Sequence, residues 1–185
     1  QTSAPFSSGQ SNTAVGERAF ASHTTGDNNV AIGQGALEAN TTADNNTAVG
    51  LNSLQANTTG EYNVALGALA LDANTTANSN VGIGYAALGA TTTGANNTAV
   101  GTNSLDANTT GSQNVGLGQA SLGANTTANR NTAVGYIALA NNTSGDDNVG
   151  IGKSALQENT TGVENTAVGR SALAAVTTNS YNTAV

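Results

Sequence analysis

Apolar and polar positions return along this chain with a fixed period of 17 residues. Asn recurs at Asn12, Asn29, Asn46, Asn63, Asn80, Asn97, Asn114, Asn131, Asn148, Asn165 and Asn182, and these residues define position 1 of the repeat. Position 3 is always Ala or Gly, and position 4 is always apolar, from Val15 and Ile32 to Val185. Position 5 is Gly, from Gly16 to Gly169. Position 9 is Phe20 and then Leu: Leu37, Leu54, Leu71, Leu88, Leu105 and onward to Leu173. Positions 13 and 14 are Thr-Thr in nearly every repeat, and positions 16 and 17 vary and are mostly polar. Such self-similarity marks an array of stacked supersecondary units.

The local pattern favours strands. Val, Ile, Thr, Asn and Gly are poor helix formers, and a Gly in each repeat would cost a helix about 1 kcal/mol. A short helical turn around Ala36 and Leu37 is compatible with the pattern but not required by it. The reading is an all-β, parallel β-solenoid with one 17-residue coil per repeat and about ten coils. Strands are expected at positions 1–4 and near 8–11, with room for a third at 12–14. At roughly 4.8 Å per coil the rod would be about 48 Å long. Residues 1–11 form an N-terminal segment, a partial coil or cap. Residues 12–181 form ten repeats, and residues 182–185 start an eleventh coil.

Stacking places each position above itself. The expected interior is an asparagine ladder (Asn29, Asn46, Asn63, Asn80, Asn97, Asn114, Asn131) beside a leucine ladder (Leu37, Leu54, Leu71, Leu88, Leu105). Amide ladders bond to the layers above and below. A β-branched column is expected at position 4. The small residues at position 3 are expected to face a close neighbour, such as another chain. So thin a core predicts that stacking and chain association complete the burial.

The pentapeptide N-[TV]-[AG]-[VIL]-G, as in Asn29-Val-Ala-Ile-Gly33 and Asn80-Val-Gly-Ile-Gly84, resembles the head repeat of trimeric autotransporter adhesins. It is also similar to arrays in phage tail fibres and exported fibre-like bacterial proteins. The resemblance covers about residues 12–185, with a longer period than the usual adhesin-head repeat. It implies a left-handed, trimeric β-roll that serves adhesion. It therefore implies a homotrimer as partner, and a surface receptor or glycan as ligand.

Composition narrows the function. Aromatic residues are 3% and charged residues 8%, which alone would suggest disorder, but the regular apolar positions argue against it. The net charge of -7 offers no footprint for nucleic acid or a polybasic membrane patch. No apolar run approaches a membrane span, so no membrane insertion is expected. The absence of Cys and Met, with a chain starting at Gln1, suggests an exported protein in an extracellular, cell-surface or virion-fibre setting.

No residue stands out as catalytic, and no cofactor or metal is expected. His23 is the single histidine and sits at position 12, where Asn is usual. Asp146-Asp147 reads as a solvated turn. G-x-G at Gly33–Gly35 and Gly82–Gly84 lacks the βαβ setting of a nucleotide loop. The threonines Thr41, Thr42, Thr58, Thr59, Thr75 and Thr76 are candidates for a binding surface, for ice or for glycan. Of each adjacent pair one column faces outward. Asn-x-Thr/Ser sequons at Asn40, Asn57, Asn74, Asn108, Asn125, Asn142 and Asn159 are candidate glycosylation sites. The first eleven residues fill positions 7–17 and the last four fill 1–4, so head-to-tail stacking into a filament is a further expectation. Alternatively Pro5 and Phe6 cap the first coil.

Overall fold

A computed structural model describes residues 8–185. Pro5, Phe6 and Ser7 lie outside the described residues. The chain is a β-solenoid. Each coil contributes one short strand, beginning with β1 (Thr13–Val15), β2 (Val30–Ile32), β3 (Thr47–Val49), β4 (Val64–Leu66) and β5 (Val81–Ile83). The series continues with β6 (Thr98–Val100), β7 (Val115–Leu117), β8 (Thr132–Val134), β9 (Val149–Ile151), β10 (Thr166–Val168) and β11 (Thr183–Ala184). All pair in parallel in chain order, giving one 11-stranded sheet without crossovers. Pairing is in register, as Thr47↔Val64, Ala48↔Ala65 and Val49↔Leu66 illustrate.

The strand occupies positions 2–4 alone. The expected strands at 8–11 and 12–14 do not form, and no helical turn forms at Ala36–Leu37. The reason lies in which side chains are inside. Ala36 and Leu37 are both fully buried, as are Ala70 and Leu71. A strand alternates its side chains and cannot turn two consecutive residues inward. The backbone instead runs through successive β-turns, closed by Ser53 N–H to Gly50 O (3.4 Å), Glu38 N–H to Gly35 O (3.3 Å) and Asn57 N–H to Leu54 O (3.2 Å). Positions 7 and 9 take positive φ, for example 53° at Asn52 and 50° at Leu54. That conformation suits the third residue of a type II turn. Rungs between coils persist regardless: Asn52 N–H bonds Gln34 O at 2.9 Å, and Leu54 N–H bonds Ala70 O at 3.0 Å.

The left-handed conformation costs a leucine roughly 1–2 kcal/mol, and burying its side chain contributes roughly 1.5–3 kcal/mol. The left-handed turn thus offsets part of what burying each leucine contributes, and the buried amide columns add hydrogen bonds between coils.

The position-3 Ala or Gly points into the coil: Ala31, Ala48, Ala65, Ala99, Ala133 and Ala167 are fully buried. This corrects the expectation that position 3 meets another chain. The position-4 residues, expected in the core, point outward, with Ile32, Leu66, Leu117 and Ile151 each 37–39% exposed. Alternation still holds within the strand, but the small residue is the inner one because the Leu of position 9 fills the space opposite. A Cβ at Gly82 would lie 3.3 Å from the Leu71 Cγ.

Candidate functional site

Two asparagine columns run up the interior. In the first, at position 1, each side-chain oxygen accepts the backbone N–H of the Asn one coil on, as from Asn46 to Asn29 at 2.9 Å and from Asn63 to Asn46 at 2.9 Å. Its amide nitrogen donates across its own coil to the position-15 carbonyl, as Asn46 does to Gly60 O at 2.8 Å. The expected ladder of Asn29, Asn46, Asn63, Asn80, Asn97, Asn114 and Asn131 is thus present, and all seven are fully buried.

The second column, at position 12, consists of the Asn residues of the sequons. Asn57 Nδ2 donates to Asn40 Oδ1 at 3.0 Å, Asn74 Nδ2 to Asn57 Oδ1 at 2.8 Å, and Asn125 Nδ2 to Asn108 Oδ1 at 2.8 Å. Asn40, Asn57, Asn74, Asn108, Asn125, Asn142 and Asn159 are fully buried. Their amide nitrogens also reach position-15 carbonyls, as Asn57 does to Gly60 O at 2.9 Å. The folded coil leaves no room for a glycan on these nitrogens, so the glycosylation reading is corrected. Position 12 departs from Asn at His23, at the start of the column, and at Thr91 and Val176 further along it. The Oδ1 atoms of Asn74 and Asn159, one coil before Thr91 and Val176, are buried and unpartnered.

A third polar column, at position 16, is masked in the sequence by variation of the residue type. Its side chain accepts the position-16 N–H of the preceding coil: Asp44 from Asp27 (2.6 Å), Asn78 from Glu61 (2.7 Å), Asn129 from Ser112 (2.9 Å) and Ser180 from Val163 (3.0 Å). Asp, Asn and Ser all serve because each offers a short oxygen. That shared property, rather than residue identity, was the signal in the sequence.

The threonine pair divides as expected. Thr42, Thr59 and Thr76 at position 14 are exposed, while Thr41, Thr58 and Thr75 at position 13 are half-buried. The position-13 hydroxyls donate to the carbonyl one coil on, as Thr58 Oγ1 does to Thr75 O at 3.0 Å. One hydroxyl column therefore reaches solvent.

The outward side of the sheet is the other long surface. Every residue at positions 2 and 4, from Thr13 to Val185, is Thr, Val, Ile or Leu. It is a straight, charge-free strip two columns wide. Position 17 flanks it on one side and position 6 on the other, including the exposed Tyr62, Tyr85 and Tyr136. Charges on these flanks concentrate in three coils. Arg130 bonds Asp147 Oδ1 through Nε at 2.7 Å and approaches Asp146 at 3.5 Å. The Arg130 guanidinium holds the Asp147 carboxyl below its usual range. Lys153 Nζ lies 5.6 Å from the Tyr136 ring centroid.

His23 stacks on Phe20 with centroids 4.2 Å apart, and its buried Nδ1 has no hydrogen-bond partner among the described residues. Burial lowers its pKa, partly opposed by Asp27. Its place at the end of the position-12 column makes it a packing residue of the first coil. Asp146 and Asp147 hold Arg130, and Asp146 Oδ1 also accepts the Asn129 N–H at 2.7 Å. Among the described residues no cluster of three or more His, Asp or Glu is placed to hold a metal ion, and no helix is long and apolar enough to cross a membrane. No protein-family model matches the chain, and neither a curated protein nor a solved structure matches it.

Proposed function

We propose that this chain is a non-enzymatic module of an extracellular or surface fibre: a stiff rod that projects or adheres and associates with further copies of itself. The observation that carries the reading is the division of labour between its two sides. Inside, the asparagine columns spend their hydrogen bonds on stacking one coil on the next. Outside, a charge-free strip of Thr, Val, Ile and Leu runs the length of the sheet, with no covering element among the described residues. Contiguous exposed apolar surface of this kind marks an interaction site. The resemblance of N-[TV]-[AG]-[VIL]-G to adhesin heads supports association about an axis parallel to the rod, as in a homotrimer. Sedimentation velocity over a wide concentration range, with electron microscopy of the same sample, tests this. Rods about 50 Å long whose mass is a small multiple of the chain are expected. Monomers at every concentration would sink the proposal.

A second reading rests on the exposed position-14 column of Thr42, Thr59 and Thr76. A regular hydroxyl array could bind ice or a glycan. Thermal hysteresis tests the first and a glycan array the second, with Thr59→Lys and Thr76→Lys as controls expected to abolish either signal.

A further inference from the structure

The two flanks of the apolar strip carry opposite charges in the same two coils. On the layer of β9, Asp147 precedes the strand and Lys153 follows it; on the layer of β10, Glu164 precedes and Arg170 follows. Within one chain these groups are on opposite sides of the strip, six residues apart along an extended path. Lys153, Glu164 and Arg170 form no ion pair among the described residues. On the position-6 flank Lys153 and Arg170 stack one coil apart, with no acid on that side in either coil; on the position-17 flank Glu164 stacks on Asp147, which Arg130 of the coil below holds. From Asn28 to Gln119 neither flank carries a charge.

We infer that the strip is covered by a second copy of this chain lying parallel and in register, with Asp147 and Glu164 of each copy against Lys153 and Arg170 of the next. This rests on the self-association proposed above. The geometry follows from rotation about an axis parallel to the rod, which lays the position-17 column of one copy along the position-6 column of its neighbour. In-register apposition then pairs Asp147 with Lys153 and Glu164 with Arg170. One layer below, it brings Arg130 to Tyr136, a cation–π arrangement. An antiparallel copy instead lays position 6 along position 6, where the one acid is Glu17, and position 17 along position 17. The occupant is a second copy because the strip repeats at the coil spacing for its whole length. A rod of the same rise matches it layer by layer without losing register. The apolar columns supply area and the charged layers fix orientation and register, a role charges serve better than raw affinity.

Charge exchange tests this. Lys153→Glu with Arg170→Glu places acid against acid, and Asp147→Lys with Glu164→Lys places base against base. Each double variant should associate roughly a hundredfold more weakly at low salt, with the loss shrinking as salt screens it. The fourfold variant carrying all these changes restores opposite charges between copies and should recover association close to the original. Sedimentation equilibrium reads all four proteins, and circular dichroism checks that each is folded. If the unchanged chain associates but both double variants match it, or the fourfold variant fails to recover, the parallel in-register arrangement is overturned while self-association stands. If the unchanged chain is monomeric throughout, the underlying proposal falls as well.

Discussion

Replacing Thr91 by Asn should stabilise the rod. At position 12 the asparagine column runs through Asn40, Asn57 and Asn74, is interrupted at Thr91, and resumes at Asn108. The interruption leaves Asn74 Oδ1 buried without a donor. On the other side, Asn108 Nδ2 reaches the Thr91 hydroxyl at 3.4 Å, a marginal contact. The backbone is already suitable: Thr91 N–H bonds Leu88 O at 3.1 Å, as Asn74 N–H bonds Leu71 O at 3.1 Å. An Asn here donates to Asn74 Oδ1 and to Gly94 O, as its counterparts do in other coils. Two buried bonds, each net about 0.5–1.5 kcal/mol, give about 1–3 kcal/mol. For a chain of this size that is a rise in Tm of about 3–10 °C. Thermal unfolding followed by circular dichroism measures it, and amide exchange should show the gain concentrated in the coils around Leu88 and Leu105. The reverse change, Asn57→Thr, should lose a similar amount by orphaning Asn40 Oδ1. An unchanged or lowered Tm for Thr91→Asn, or an Asn57→Thr variant as stable as the original, would refute the reasoning that the amide column contributes stability.

Gly50→Ala should cost about 3 kcal/mol or more, because φ is 139° and a Cβ would lie 2.5 Å from Gly67 O; denaturant unfolding checks this. Ala120→Gly should stabilise by up to about 1 kcal/mol, since Ala120 has φ 52° and Gly35 holds the same position at φ 68°; a loss of stability would contradict the left-handed assignment. Ala95→Asn should add about 0.5–1 kcal/mol by giving the Asn78 N–H an acceptor at position 16, as Asn129 gives Ser112; the gain should show as slower exchange of the Asn78 amide. Burial raises the pKa of Asp72 and Asp106 above the usual 3.8, against backbone hydrogen bonds that lower it. Each then binds its proton more tightly folded than unfolded, so its stabilising contribution is present below the unfolded pKa and lost as pH rises through the folded value. Asp72→Asn with Asp106→Asn should therefore raise Tm at pH 7 more than at pH 3, and equal effects at both would disprove the assignment.

The solenoid and the first asparagine ladder were legible because both follow from period alone: Asn29, Asn46 and Asn63 can stack only if each coil closes after 17 residues. The orientation of the strand was not legible. Ala48 between Thr47 and Val49 fits an interior packed against small residues or against large ones, and only the Leu54 of the turn segment decides it. The turn segment is obscured in the sequence for a related reason. Positive φ at a leucine is unfavourable locally, so propensity argued for a strand where burial of Ala36 and Leu37 together demanded a turn. The second asparagine ladder was hidden by its own sequence context. Asn57-Thr58-Thr59 is a sequon as well as a buried amide followed by two corner threonines, and burial alone separates them. The acceptor column at position 16 was hidden because the protein uses one chemical property through three residue types.

These features bear on why the outer strip is apolar. A solenoid held together by side-chain amides does not need large hydrophobic groups on its outer surface. Ala48 and Leu54 fill the coil, and Asn46 and Asn57 tie it to its neighbours. Had selection acted on the isolated rod alone, positions 2 and 4 could be Thr or charged residues throughout, since in-register stacking is satisfied by the backbone. Lys or Glu there would also block unwanted pairing. Instead the strip keeps Val, Ile or Leu at position 4 of every coil and, in the layers of β9 and β10, carries acid on one flank and base on the other. The arrangement leaves apolar columns facing water and sets Lys153 beside Arg170 on one flank. It is favourable only where another surface removes the strip from water and sets opposite charges side by side. The outer face is thus the part of the molecule whose chemistry the single chain leaves unexplained, and the proposed second copy in parallel register would account for both its apolar columns and its charged edges.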